Sequence, residues 1–421
     1  MSHPNLLNKG DDLRNEAIGF GTYRISVKSQ LHVDALAYAM QNGITLIDTS
    51  TNYASGDSER AIAAAIQQSG IQRDNLTIVS KAGYIQGPLL QQVQSGQLEV
   101  FDLVPYQEGC FHSIHSDFLK SQLTASLQRL QTDYIDTYLL HNPEYFLMHT
   151  IETADQIEIA RKEMDRRILE AFIALEEEVQ NGRIKSYGIS SNSFSKAPDT
   201  LHFLHYTHLI ELAKEAASEV GNSQHSFTTI QLPINLLEKE GLKCAAWAKA
   251  NGLRVLVNRP LNAFDSEGMH RLASYEAPEN YETDKEKLLM AADTYSLSEL
   301  RTVVTDLDSI KGRFRWPGAA EEALQRQTIP FIQSILSRIP DQQVKSAIIP
   351  LLNPFLHSWL KSVSHLCSQK TLSYLHAQGY QEITHPIQRY AIQWLMNRPE
   401  IDTVLLGMRQ KSYVDDALAL L

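Results

Sequence analysis

Ile44-Thr-Leu-Ile-Asp48-Thr-Ser-Thr-Asn-Tyr53-Ala-Ser-Gly-Asp-Ser-Glu59 is the stretch on which the reading of this chain turns. Gly43 closes the helix before it, and Ile44 to Ile47 form a short apolar β-run. The run stops on Asp48, and small polar residues follow until Tyr53. A carboxylate at the C-terminal end of a buried parallel strand is costly to desolvate unless a nearby group needs it. In a β/α barrel, that end of each strand faces the reaction centre. Asp48 alone could equally cap the next helix, so the ends of the other strands decide.

Outward from this stretch, strands and helices alternate. Residues 18–25 read as strand one and 31–41 as a helix ending at Asn42-Gly43. After strand two comes a helix over 58–68, then strand three over 76–81, ending on Lys81. Residues 87–115 interrupt the rhythm and are expected to form a long irregular loop. A helix over 116–130 leads to strand four, 134–140, which gives way to His141. Helix 166–181, strand five (184–189), a helix around 208–220, strand six (228–232), helix 242–250 and strand seven (254–259) follow. Helix 387–397, strand eight (403–407) and helix 412–420 complete the series. Such alternation predicts a parallel sheet with helices outside, and eight units close an α/β barrel of the (β/α)8 TIM class.

The barrel is expected to comprise 1–261 and 385–421, with 262–384 as a mostly helical insertion after strand seven. There Ile329, Phe331, Ile332, Ile335, Leu336 and Ile339 recur at helical spacing. A block on the order of a hundred residues is too long for an idle loop. It leaves the C-terminal end of a barrel strand, so it can cap the mouth of the barrel or flank its outer helices; its root favours the cap.

Composition narrows the function classes. The 421 residues are 43% hydrophobic and 21% charged, enough for a full core. Acidic residues outnumber basic ones, 49 to 38, and no basic stripe is visible, so no nucleic-acid partner is expected. Cys110, Cys244 and Cys367 are too scattered for a disulfide frame, which implies a reducing compartment. The polar first 15 residues lack a signal core, and no apolar run of roughly 18 residues occurs, so no membrane partner and a cytoplasmic location are expected. His112 and His115 near Cys110 have a ligand-like spacing, but no second cluster supports them, so no metal is expected. The sequence leaves the oligomeric state open.

Asp48 with Tyr53 beyond it, Lys81 and His141 thus stand at neighbouring strand ends, which a barrel gathers around one mouth. Their chemistry is coherent. A phenol titrates at about 10, and a lysine held by a carboxylate and placed against it is expected to lower that value. A neutral histidine beside the phenol can orient a carbonyl oxygen. Together they make an acid poised to protonate an oxygen that becomes negative when hydride reaches its carbon.

Asp48-x4-Tyr53, Lys81 and His141 resemble the Asp/Tyr/Lys/His tetrad of the aldo-keto reductases. Gly19-Phe-Gly-Thr22, Ile47-Asp-Thr49 and the long run Ser126-Leu-Gln-Arg-Leu-Gln-Thr-Asp133-Tyr-Ile-Asp136, leading to Leu139-Leu-His141, are similar to the family's phrases. The resemblance covers about 15–261 and 386–421. It implies that Tyr53 is the general acid, that Lys81 and Asp48 tune it, and that His141 orients the substrate carbonyl. It further implies a nicotinamide cofactor, with the carboxamide held by Ser191-Asn192 or, given the doubled serine, Ser190, and with Gln231 on strand six. The family's stacking aromatic on strand seven is replaced by Asn258; Arg259 beside it could reach the pyrophosphate instead. After strand eight, Gly407 allows close backbone approach, Arg409 and Lys411 would suit a 2′-phosphate, and Asp416 stands for the family's acidic residue near the adenine. The two cations favour NADP(H) over NAD(H). No GxGxxG follows a strand, so a Rossmann site is not expected.

Two functions follow. One is an NAD(P)H-dependent oxidoreductase that reduces an aldehyde or ketone to an alcohol, or the reverse. The other is a cofactor-binding regulatory subunit of the same fold with little turnover. The intact tetrad favours the first, with a small carbonyl or alcohol compound as its partner.

Overall fold

The apolar runs pair side by side in sequence order. In the computed structural model, which describes residues 16–265, 268–384 and 386–421, strands β1 (Ile18–Gly21), β2 (Leu46–Asp48), β3 (Thr77–Ala82), β4 (Ile135–His141), β5 (Ile184–Ser190), β6 (Phe227–Pro233), β7 (Arg254–Asn258) and β8 (Thr403–Leu406) form a closed parallel barrel. Each strand lies beside its sequence neighbours, and β8 closes on β1. Residues 1–15, where the sequence argues against a signal peptide, and the expected boundary residue 385 lie outside the described residues.

The chain divides into two compact units. One runs up to Pro260 and resumes over Gln393–Leu421; the other spans Leu261–Ile392. In the first unit the barrel strands are joined by helices α1 (Gln30–Gln41), α2 (Asp57–Ser69), α3 (Ser116–Leu130), α4 (Ile157–Gln180), α5 (Leu209–Glu219) and α6 (Gly241–Ala250), with α7 (Lys411–Leu418) after β8. Leu46, Val79, Leu139, Leu256 and Leu405 form one buried layer from five strands, each side chain worth about 1.5–3 kcal/mol of burial. Gly19 is required there: a Cβ on it would stand 2.6 Å from Leu46 Cδ2 and 2.8 Å from Leu405 Cδ2.

Register places the polar strand ends side by side. Asp48 pairs with Val79, Lys81 with Leu139, His141 with Ser190, and Ser190 with Gln231. Glu59 on α2, fully buried, accepts from Ser80 Oγ at 2.7 Å and from Arg129 Nε at 2.6 Å, tying α2, β3 and α3 together.

Two expectations need correction. Residues 87–115 are not an irregular loop: they hold a helix, Pro88–Gln94, and two strands, Val104–Gln107 and Cys110–His112, which with Tyr84–Gln86 form a small antiparallel sheet. Such short strands leave no period to read, and Pro105 is tolerated because its strand is at the sheet edge. α4 also begins at Ile157, well before 166; its first turns bury only Ala160 and Met164 and leave Ile159 exposed, so they carry no continuous apolar stripe.

The second unit opens with an antiparallel hairpin, Asn262–Asp265 and Gly268–Arg271, that helical periodicity did not predict. Its helices are Tyr281–Thr294, Ser298–Ile310, Pro317–Ala323, Ile329–Arg338 and the long Gln342–Ala377; Ile387–Met396 crosses the division between units. They enclose their own core around Leu288, Val304, Phe355 and Trp359, whose indole Nε1 donates to the Leu307 carbonyl at 2.7 Å. Ile332 and Ile335 join that core, while Phe331 stays exposed.

Candidate active site

Lys81 ends the apolar part of β3 with its side chain fully buried, and its ammonium donates to Asp48 Oδ1 at 2.7 Å and to the Thr49 carbonyl at 2.6 Å. Such a pair offsets its desolvation only when further hydrogen bonds satisfy the remaining polar groups. Here the chain continues: Gln231 Nε2 donates to the same Asp48 oxygen at 2.7 Å, and Ser190 Oγ and Asn258 Nδ2 donate to Gln231 Oε1 at 3.0 and 3.3 Å. A polar row therefore crosses the C-terminal ends of β2, β3, β5, β6 and β7.

Tyr53 begins a short 3-10 turn, Tyr53–Gly56, in which Ala54 and Ser55 take left-handed φ values of 47° and 55°. That turn brings the half-buried ring over Lys81, whose Nζ lies 5.0 Å from its centroid. The His141 ring lies 6.0 Å from Tyr53, edge to face, and Tyr23 packs on Tyr53 at 5.2 Å. The expected lowering of the phenol's pKa is not found. Burial, then the Asp48 charge, push Tyr53 well above the ordinary phenol range. The physical reason is that the cost of desolvating a phenolate, with the Asp48 carboxylate nearby, outweighs any help from Lys81. Burial and the neighbouring Lys81 cation hold His141 far below the usual histidine value, so the imidazole is neutral. These four residues are brought together.

The other predicted contacts divide into two groups. Ser190, Gln231 and Asn258 lie in the polar row, and Asn258 Oδ1 is buried with no hydrogen-bond partner among the described residues. Ser191 Oγ accepts the Ser193 N–H at 3.1 Å, and Asn192 Nδ2 donates to Asn142 Oδ1 at 3.2 Å. Arg259, at φ 50°, places Nη2 3.0 Å from Glu238 Oε1, so its charge is engaged within the barrel unit. Gly407, Arg409, Lys411 and Asp416 are exposed on the segment after β8. Neither Arg409 nor Lys411 forms an ion pair with another described residue; Arg409 faces His32 and Lys411 lies 5.5 Å from the Tyr38 ring. The α7 acid that bonds a neighbour is Asp415, which accepts from Tyr38 Oη at 2.8 Å, rather than Asp416.

Several residues at the site escaped the sequence reading. Ser50 Oγ lies 3.0 Å from His141 Nδ1. His112 Nε2 bonds the His141 carbonyl at 2.6 Å. Tyr84 packs edge-on to His141 at 4.7 Å and shares a 2.6 Å hydrogen bond with Tyr145. Asn142 and Glu144 lie within three residues of His141, and the run His141-Asn-Pro-Glu144 was the signal that could have found them. Among the described residues, no group of three or more His, Cys, Asp or Glu could hold a metal ion, and no helix is long and apolar enough to cross a membrane.

A family model described as the aldo/keto reductase family matches residues 17–302, about two thirds of the chain. An NADH-specific methylglyoxal reductase of Escherichia coli K12 is 28% identical over 141 residues, covering 31% of this chain and 39% of that protein. A methylglyoxal reductase of Escherichia coli O157:H7 is 25% identical over 239 residues, 57% of this chain and 64% of the relative. The chain therefore spans less than two thirds of the length of the curated relatives it matches. A solved aldo-keto reductase from Bacillus halodurans aligns over 96% of this chain and 86% of its own, at 17% identity and a TM-score of 0.47.

Proposed function

The chain belongs to the aldo/keto reductase family, and from this premise we propose that it reduces a small aldehyde or ketone at the mouth of its barrel, with Tyr53 as general acid. The observation that carries the reading is the buried Lys81–Asp48 pair beneath the Tyr53 ring, beside a neutral His141. NADPH is the preferred cofactor and the cytoplasm the setting.

The residues present fit a dinucleotide. Ser190, Ser191, Asn192 and Gln231 would hold the carboxamide, and the orphaned Asn258 Oδ1 would accept from it. Arg409 and Lys411, exposed cations beside the N-terminus of α7, would hold the 2′-phosphate, with Gly407 allowing close approach. Asp416 would face the adenine, and Arg259, whose charge Glu238 engages, would approach the pyrophosphate. When bound, the cofactor supplies the hydride.

The chain's own residues manage the proton. Tyr53 stays protonated because its pKa is raised, and this is the form from which a proton can be given. As charge develops on the substrate oxygen, the phenol transfers its proton there, with the ring held over the Lys81–Asp48 pair. Ser50 Oγ, 3.0 Å from His141 Nδ1, holds the neutral imidazole beside Tyr53, where it would orient the carbonyl.

The missing strand-seven aromatic favours the second reading, a cofactor-binding subunit with little turnover. Titrating the protein with NADPH and NADH by nicotinamide fluorescence, then adding methylglyoxal as a first carbonyl probe, divides the two. Cofactor consumed in step with methylglyoxal supports the enzyme. Tight binding with no consumption across a panel of small aldehydes and ketones refutes it.

A further inference from the structure

Asn142 and Glu144 touch neither Tyr53 nor Lys81 in the account above, yet they hold the turn that the cofactor would meet. Directly after β4, Asn142 takes φ 53°, a left-handed conformation that Asn tolerates better than most side chains. Its N–H donates to the Ser190 carbonyl at 2.7 Å. Its Oδ1 accepts both the backbone N–H and the side-chain amide of Asn192, each at 3.2 Å. Glu144 Oε1 accepts the N–H of Asn192 at 2.9 Å and of Ser193 at 3.3 Å. Glu144 is only 2% exposed and has no ion-pair partner among the described residues. Burial raises its carboxyl to about 7 against the lowering effect of these donors. A buried, unpaired carboxylate is expensive, and a merely structural turn could be closed with neutral groups. On its other side, Asn142 Nδ2 donates at 2.6 Å to Tyr84 Oη, and the Tyr84 ring packs on His141.

We infer that Asn142 and Glu144 are positioning residues that fix the Ser191–Asn192 turn for the nicotinamide carboxamide, and that Asn142 locks this turn to the Tyr84 ring against His141. The inference rests on the nicotinamide reading of the site. Two successive N–H groups held on one carboxylate oxygen leave the peptide planes at 191–193 little freedom. The effect belongs to the nicotinamide end of a dinucleotide and not to its adenosine end.

The test measures Kd for NADPH, NADH and 2′-phospho-ADP-ribose, which lacks the nicotinamide, in Glu144→Leu, Glu144→Gln and Asn142→Ala. Loss of a hydrogen bond to a charged group predicts an about ten-fold weakening of NADPH and NADH alike in Glu144→Leu. Asn142→Ala follows in the same direction, while 2′-phospho-ADP-ribose binds as in the wild type. Glu144→Gln keeps an acceptor oxygen and recovers most of the affinity. Unchanged NADPH binding in both Glu144→Leu and Asn142→Ala overturns the inference. So does an equal loss for 2′-phospho-ADP-ribose, which would mark general loosening. If the wild type binds none of the three ligands, the nicotinamide reading itself fails and takes this inference with it.

Discussion

Replacing Lys81 with Met removes the ammonium that faces Asp48 at 2.7 Å, with side-chain exposures of 0% and 5%. At an effective dielectric of about 20, charges at that separation attract by about 6 kcal/mol. The Gln231 amide remains on Asp48 but is neutral and already counted. Breaking a buried pair from one side costs about 3–5 kcal/mol, a large part of the roughly 5–15 kcal/mol that holds a folded protein. Urea unfolding at about pH 8 reads this loss directly, and Lys81→Met should lose several kcal/mol. Lys81→Met with Asp48→Leu, which leaves no orphaned charge, should regain most of the loss. A single variant as stable as the wild type at about pH 8, or a double variant no better than the single, would refute the pairing argument.

Arg409→Ala should weaken NADPH binding by about ten-fold and leave NADH unchanged; equal affinity of the wild type for both cofactors would contradict a 2′-phosphate site. His112 has its pKa depressed by burial to about 4, so the unfolded chain takes up the proton first. Stability should fall by about 3 kcal/mol as pH drops from about 6.5 to about 4, and His112→Asn should show a shallower acid limb in the same unfolding assay. Replacing 262–384 with a short Gly/Ser linker should raise KM for the carbonyl substrate or broaden its range, with NADPH affinity changing less; a folded deletion variant with unchanged KM and selectivity would place the second unit's role elsewhere.

The barrel was legible because the strands are short apolar runs, several of them stopped by a polar residue, and because helices of ordinary length separate most of them. Asp48, Lys81 and His141 were legible for the same reason: each is a polar residue where an apolar strand stops. What stayed hidden depends on contacts across the chain. The sheet within 84–112 and the 262–271 hairpin use strands of three or four residues, too short to show a period. Asn142 and Glu144 gain their partners only when β4 lies beside β5, in the register that sets His141 next to Ser190. The direction of the Tyr53 shift was misread because the sequence shows a lysine nearby but not the depth of burial that outweighs it.

The most direct measurement is single-turnover hydride transfer from saturating NADPH to methylglyoxal, or to whichever small carbonyl the wild type reduces, in Tyr53→Phe. Loss of a general acid should slow the step by at least about 100-fold, while NADPH affinity stays within about two-fold of the wild type, because the phenol contributes its proton and not its ring. A variant that binds NADPH normally and still transfers hydride at close to the wild-type rate would contradict Tyr53 as the acid and, with it, the mechanism built on the Lys81–Asp48 pair.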